Sequence, residues 1–273
     1  MKNLSFFLTF GLLILHLSSM EQTPRPLQAS TLLMPFLVVF VFALMQTVCY
    51  WATRNIILSS LLSGPVSVML LTRPVGPIRL RAAFRLKGLP RAATLLGLGA
   101  GITGITAASL LGELTQLPNP TAATFTPLLG LPLTWITVGL AGPICEELLF
   151  REGIQGGLVR KGMSPVWAIV IGSLLFSLAH ANPAQSLAAI SMGFVLGALY
   201  HRSQNVLLCS LIHVINNVLG LLQLRLYSGH TTATPLLDLL GSRALAWGVL
   251  AVLTAAVGLM LWGLFRRKRP ILD

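Results

Sequence analysis

The feature that most constrains the fold is a series of long apolar segments separated by short connections. These segments lie near residues 32–50, 55–72, 92–112, 124–160, 165–181, 184–200, 205–224 and 239–265. Several exceed the roughly 18 apolar residues that cross the hydrocarbon core of a bilayer as a helix. Only helices and closed barrels satisfy their backbone polar groups in lipid, and these segments lack the strict alternation of barrel strands. The sequence therefore predicts an all-α fold, a polytopic transmembrane helical bundle of roughly eight helices.

Composition supports a membrane protein. Charged residues make up 10% of the chain, against about 25% in ordinary soluble domains, and the mean hydropathy is +0.82. The formal charge of +12 would suggest nucleic acid in a soluble protein, but most of these charges lie between apolar segments. We therefore expect the lipid bilayer as a partner and no nucleic acid. The three cysteines, Cys49, Cys145 and Cys209, lie in apolar segments without C-x-x-C spacing, which predicts free buried thiols.

The basic residues predict how the chain is oriented. They concentrate in the connections 73–91 and 151–164, at Arg202 and in the tail at 266–269. The intervening connections 113–126 and 182–184 contain no lysine or arginine. Cytoplasmic loops of membrane proteins carry the excess of these residues, so the pattern predicts a multi-pass protein with its C-terminus in the cytoplasm.

The acidic residues indicate a site. Five of the seven are expected in loops, at interfaces or at termini: Glu21, Glu113, Glu152, Asp238 and Asp273. Glu146 and Glu147 instead lie inside an apolar segment, where each charge costs roughly 2.5 kcal/mol or more. Glu147 is spaced i,i+4 from Arg151 and can pair with it, which leaves Glu146, about 100° around the helix, to face a cavity. The alternative is a buried Glu–Arg pair that only fixes helix packing.

Two histidines also lie in apolar segments. His180 follows Phe176 by four residues, so the two rings can pack together, and His213 precedes Asn217 by the same spacing. At 1.5 Å per residue, Glu146, His180 and Asn217 lie roughly 20–24 Å from the same membrane face. These groups can therefore converge at similar depth. His16, His201 and His230 lie in a terminal segment or near loops, and we expect no site role for them.

Three motifs follow one another on separate apolar segments: Glu146-Glu147-x-x-x-Arg151, Phe176-x-x-x-His180 and His213-x-x-x-Asn217. Together they resemble the CPBP intramembrane proteases, which include CAAX prenyl endopeptidases and bacteriocin-immunity-type (Abi-like) proteins. The resemblance covers about residues 90–225. It implies an intramembrane endopeptidase that hydrolyses a peptide bond of a membrane-associated substrate, of CAAX type with or without a prenyl group.

Peptide hydrolysis needs a base, a proton donor and a stabiliser for the oxyanion. The resemblance makes Glu146 the candidate base and His180 the residue that holds or polarises the attacking water. His213 and Asn217 would donate hydrogen bonds to the oxyanion. The supporting residues are Glu147, Arg151 and Phe176. We expect no cofactor, and zinc held by Glu146, His180 and His213 stays open as the alternative.

Two other functions remain open at this point. One is a proton-coupled transporter component, in which the intramembrane carboxylate and histidines relay protons. The other is a non-catalytic membrane scaffold or immunity protein. For the endopeptidase, the expected partner is a peptide or protein substrate within or at the membrane.

The chain is expected to divide into three parts. Residues 1–90 are predicted to form N-terminal transmembrane helices and a basic cytoplasmic loop. Residues 91–225 would be the CPBP-like protease core, and 226–273 a C-terminal transmembrane helix with a basic tail. We expect residues 1–20 to be a retained helix rather than a signal peptide, because Ser18-Ser19-Met20 is a poor cleavage site.

The orientation can be measured with reporter fusions. A fluorescent protein fused to the C-terminus should fluoresce, and alkaline phosphatase there should be inactive, because the positive-inside rule places this end in the cytoplasm. A fusion placed in the 113–126 connection is the matched control and should give the opposite pattern. Active phosphatase at the C-terminus would invert the orientation.

Overall fold

A computed structural model describes residues 29–72, 77–84, 91–226 and 235–266. The expected first helix in residues 1–20 and the end of the basic tail lie outside these ranges. All secondary structure in the described ranges is helical, which confirms the all-α prediction. The eight long helices are α1 (Ala29–Thr53), α2 (Ile56–Leu71), α3 (Arg91–Thr115), α4 (Pro132–Arg160), α5 (Pro165–Ala179), α6 (Pro183–Ser203), α7 (Val206–Leu226) and α8 (Arg243–Arg266).

Six of these helices, α1, α3, α4, α6, α7 and α8, are long and apolar enough to cross a membrane. The other two, α2 and α5, are equally apolar but have only 16 and 15 residues. Large apolar side chains are exposed along α1 and α8, as expected for helices that face lipid rather than water. The chain is an integral, multi-pass membrane protein.

The helix starts follow from local sequence. Asn55, Ser164 and Asn182 are the residues before α2, α5 and α6, and each side chain accepts a hydrogen bond from a backbone N–H in the first turn. Proline occupies the first position of both α5 and α6, where its missing N–H has no cost. These caps explain why the apolar segments divide where they do.

The dipeptide Gly142-Pro143 lies inside α4 and does not interrupt it. α4 passes through this dipeptide, and the chain breaks instead at 129–131, after short helices at Pro120–Phe125 and Thr126–Leu128. Two segments of this helix, Trp135–Ala141 and Leu148–Gly156, have the wider π-helical spacing. Such π segments are uncommon and occur frequently at functional sites.

Glycines let α3 approach the helices that carry the site. A Cβ atom added at Gly97 would lie 2.5 Å from the Leu199 side chain of α6. One at Gly101 would lie 2.6 Å from the Ile212 side chain of α7. Small residues at helix contacts are typical of membrane bundles, in which packing replaces the hydrophobic drive of water. The pair therefore fixes α6 and α7 against α3.

Glu152 differs from the expectation of a loop residue, since it lies inside a helix and is buried. Its side chain is 2% exposed and lies within α4. It accepts hydrogen bonds from Arg79 Nε at 3.0 Å, from Arg160 Nη1 at 2.9 Å and from the hydroxyl of Tyr200. Glu152 thus ties the segment 77–84 and the end of α4 to α6.

Glu113 is buried as well, at the end of α3. Its carboxylate accepts the backbone N–H groups of Leu236 and Leu237 at 2.9 Å each. These are the first free N–H groups of the short helix Pro235–Leu240, so Glu113 caps it. The connection before α8 is thereby held against α3.

Replacing Glu152 by alanine should destabilise the fold by about 1–3 kcal/mol, because it leaves the buried Tyr200 hydroxyl without its acceptor. Arg79→Ala is the matched control. Its side chain is 53% exposed, so its loss should cost within about 1 kcal/mol. Denaturant unfolding in detergent measures both, and equal effects would contradict the central role of Glu152.

Candidate active site

A fully buried ion pair lies at the centre of the site. Arg151 Nε donates to Glu147 Oε2 at 2.8 Å, and both side chains are 0% exposed. The predicted i,i+4 pair is therefore present. Arg151 was also counted with the basic loop at 151–164, and the structure corrects this, because the exposed charge there comes from Arg160 and Lys161.

Glu147 also connects α4 to α7. Its second oxygen, Oε1, lies 3.0 Å from His213 Nδ1. Because Glu147 is already paired with Arg151 and accepts hydrogen bonds, Nδ1 carries the proton of this contact. The other ring nitrogen, Nε2, lies 3.8 Å from Glu146 Oε2. His213 is thus held between two carboxylates, an arrangement that i,i+4 spacing alone does not reveal.

Phe176 lies at the point where the three motifs meet. Its ring centre is 4.9 Å from that of His180 and 5.5 Å from that of His213, both edge-to-face. The guanidinium carbon of Arg151 lies 5.2 Å from the same ring centre, within cation–π range. The predicted contact between Phe176 and His180 is present. The Phe176 ring packs against both histidine rings and restricts their orientation.

His180 ends α5 and is partly exposed. Its Nδ1 lies 2.8 Å from the carbonyl oxygen of Phe176. A carbonyl can only accept, so Nδ1 donates, and the neutral ring has an acceptor lone pair on Nε2. That atom is available to a water molecule.

Asn217 has a different partner from the one that its spacing suggests. Its Nδ2 donates to the carbonyl oxygen of Val138 on α4 at 2.9 Å. In the π segment, the Gly142 N–H binds the Thr137 carbonyl five residues back. The same spacing would pair residue 143 with Val138, but Pro143 has no N–H. Asn217 satisfies the carbonyl that the proline leaves free.

The structure therefore brings most of the predicted residues together. Glu147, Arg151, Phe176, His180 and His213 form one continuous set of contacts. Glu146 adjoins this set through His213, and Asn217 lies one turn further along α7. Sequence reasoning missed the Val138 carbonyl, although a proline inside an apolar helix indicates a free carbonyl nearby.

Zinc held by Glu146, His180 and His213 stays an untested alternative. Within the described ranges, no three His, Cys, Asp or Glu side chains are arranged to hold a metal ion. His213 Nδ1 is engaged by Glu147, and His180 Nδ1 by a backbone carbonyl, which leaves the Nε2 atom of each ring for a water molecule or another ligand. No step proposed below uses a metal.

An open apolar groove of about 560 Å³ lies beside the site-bearing helix, between α2 and α4. Cys145 and Leu148 of α4 line it, together with Pro65, Val68, Met69, Thr72 and Leu80. None of the candidate site residues lines this groove. Glu147 faces α7 instead, so the groove and the polar site lie on different sides of α4.

The link between Pro143 and Asn217 can be tested by a double-mutant cycle in denaturant unfolding. Asn217→Ala should destabilise the fold by about 1–3 kcal/mol, because it leaves the buried Val138 carbonyl unpaired. In a Pro143→Ala background the loss should be smaller, because a new N–H at residue 143 can reach that carbonyl.

Asn216→Ala is the matched control for this cycle, since Asn216 donates only to Asn217 Oδ1. Its effect should be the same in both backgrounds. Additive losses for Asn217→Ala and Pro143→Ala would contradict the link.

Two comparisons with known proteins gave matches. Residues 128–219 match the family model described as "Type II CAAX prenyl endopeptidase Rce1-like". A curated relative, "Putative membrane peptidase YdiL" of Bacillus subtilis (strain 168), is 34% identical over 86 residues. That alignment covers 32% of this chain and 35% of the relative, so the chain spans about a third of the relative's length. No solved structure is significantly similar to the chain.

The matched segment contains all three motifs and every candidate site residue. The likeness is therefore to the part of the chain in which α4, α5 and α7 meet. The matches support the resemblance predicted from the motifs: residues 128–219 are similar to the Rce1-like type of CAAX prenyl endopeptidase, and the aligned relative is named as a membrane peptidase.

Proposed function

We propose that this protein is an intramembrane endopeptidase in which Glu146 activates the water that hydrolyses a peptide bond. The observation that carries the proposal is the placement of His213 between Glu147 and Glu146, at 3.0 Å and 3.8 Å. If the charged residues only fixed helix packing, Glu147 and Arg151 would be sufficient, and Glu146 would not be required. A second carboxylate beside the same imidazole, 24% exposed and with a buried oxygen lacking a partner, is what a general base requires.

The reaction follows from the free atoms of these side chains. Glu146 takes one proton from water as the water oxygen bonds to the carbonyl carbon of the peptide. His180 Nε2 accepts a hydrogen bond from the second water proton and so orients the attack. The C–N bond then breaks as Glu146 returns its proton to the leaving nitrogen. Atoms and charges balance without a further reactant.

Two groups remain for the oxyanion. The Asn217 side chain has two N–H bonds, of which one is donated to Val138. The second is free to bind the developing negative charge. His213 has only Nε2 left, because Nδ1 donates to Glu147, so it donates to the oxyanion in its doubly protonated form. Removing one such donor commonly costs about 10²–10³ in kcat.

The names of the matched proteins support a peptide substrate at the membrane. The family model describes CAAX prenyl endopeptidases, and the relative is named as a membrane peptidase. We infer a membrane-associated peptide substrate, of CAAX type with or without a prenyl group. The positive-inside pattern predicts that the Arg160 end of α4 is cytoplasmic, roughly 21 Å from Glu146. A substrate segment must therefore enter the bilayer rather than remain at the cytoplasmic surface.

Cleavage assays test the proposal. Purified protein in detergent is incubated with quenched-fluorescent peptides, prenylated and unprenylated, with and without a zinc chelator. Glu146→Gln should lower kcat by about 10²–10⁴, because an amide cannot act as the base. His213→Ala should also abolish most activity, and the chelator should leave the wild type unchanged.

Glu113→Gln is the matched control for Glu146→Gln. The amide oxygen can still accept the N–H groups that Glu113 caps, so activity and abundance should remain normal. Equal cleavage by Glu146→Gln and wild type would overturn the proposed base. A proton flux in vesicles that requires Glu146 but no peptide would favour the transporter instead.

A further inference from the structure

A group of buried polar atoms lies behind the candidate site. Among the described residues, five side-chain atoms in this region have no hydrogen-bonding partner: Arg151 Nη1 and Nη2, Gln155 Oε1, Ser173 Oγ and Ser210 Oγ. The four side chains are at most 2% exposed. Buried polar atoms in proteins are nearly always paired, with protein or with ordered water.

These atoms come from three helices but occupy one level of the bundle. Arg151 and Gln155 are four residues apart on α4. The Arg151 guanidinium lies against the Phe176 ring, and Ser173 precedes Phe176 by about one turn on α5. Residues spaced in this way share a helix face, so Ser173 lies on the face of α5 that meets α4.

Contacts of glycine residues place Gln155 next to Ser173. A Cβ at Gly172, the neighbour of Ser173, would lie 3.7 Å from Gln155 Cβ. Gln155 Nε2 donates to the Gly197 carbonyl of α6 at 2.8 Å, which leaves Oε1 unpaired. A Cβ at Gly193, one turn earlier on α6, would lie 3.0 Å from Ser173 Oγ.

Ser210 approaches from the third helix, α7. It precedes His213 by three residues, and the His213 ring contacts both Phe176 and Glu147. Since α4 and α7 run in opposite directions through the bundle, the turn of α7 before His213 faces the turn of α4 after Glu147. That turn of α4 carries Arg151.

The chemistry of these atoms is complementary, but they do not bond directly. The two terminal guanidinium nitrogens of Arg151 offer only donors, and Gln155 Oε1 is only an acceptor. The two serine hydroxyls can do both. A buried water typically makes about three hydrogen bonds to such groups, and can join a donor to acceptors that lie beyond direct reach.

We propose that Arg151, Gln155, Ser173 and Ser210 form a binding site for internal water, here called the Arg151 water site. The bound water joins the guanidinium to the three other side chains. It thereby holds Arg151 on Glu147, and Glu147 on His213. Ser173, Ser210 and Gln155 are positioning residues that act on the candidate site through water and do not touch substrate.

Stability and structure test this proposal without any peptidase assay. Ser173→Ala and Ser210→Ala should each lower the midpoint of thermal unfolding by about 2 °C or more. Together they should lower it by less than the sum, because both remove ligands of the same water. Ser191→Ala is the matched control, since Ser191 Oγ bonds only within its own helix, to the Leu187 carbonyl. It should leave the midpoint nearly unchanged.

Ser210→Cys separates the hydroxyl from packing, because it keeps a side chain of similar size with a much weaker donor and acceptor, and it should lower the midpoint about as much as Ser210→Ala. A structure at a resolution that shows ordered water should have density bonded to Arg151 Nη1 or Nη2. In Ser173→Ala with Ser210→Ala that density should weaken.

Two results would overturn the proposal. One is a structure in which Arg151 bonds directly to the Gln155 or serine side chains with no water between them. The other is thermal midpoints for both serine variants that match Ser191→Ala. If peptidase activity has been found, the serine variants should lower kcat with KM unchanged, as expected for positioning residues.

Discussion

A charged contact, Arg151 to Glu147 to His213, lies in the interior of the helical bundle, and the remaining geometry depends on it. Charges inside lipid must be paired, because an isolated one costs several kcal/mol. With Glu147 fully buried, α4 can take only the rotation that presents this carboxylate to α7. The same rotation brings Glu146 close to His213 Nε2 and brings the Arg151 guanidinium over the Phe176 ring. One buried pair thus decides where three motifs meet.

The backbone of α4 contributes as much to the geometry of the candidate site as its side chains do. Wider π-helical spacing before and after Gly142–Glu147 alters the direction in which each following side chain points. Pro143 leaves the Val138 carbonyl without a helical partner, and Asn217 binds it. The first and third motifs are therefore joined by a backbone atom that neither motif contains. The site is a property of the helix path as well as of the residues that the motifs name.

Hydropathy predicted the helices well because lipid imposes a single requirement on every spanning segment. The apolar segment 165–181 became Pro165–Ala179, and 239–265 became Arg243–Arg266. Spacing predicted contacts within one helix, such as Glu147 with Arg151, because residues four apart lie on the same helix face. Spacing could not predict that Glu152 is buried, because in the sequence this residue is one more charge beside a basic connection. Its partner Tyr200 lies 48 residues away, and only the fold brings the two together.

The π segments give α4 an unusual dependence on chain length. A π segment accommodates one more residue than the α-helical path that it interrupts. Deleting one residue from Trp135–Ala141 would leave a continuous helix, still apolar and still long enough to cross the membrane. Because the wider turn already absorbs that residue, the helix after such a deletion would keep its orientation, whereas a deletion in the α-helical Gly142–Glu147 would turn everything after it by about 100°. The hydropathy profile would be nearly the same after either deletion. Whether the first and third motifs still meet therefore depends on the backbone spacing at the deleted position, which composition does not encode.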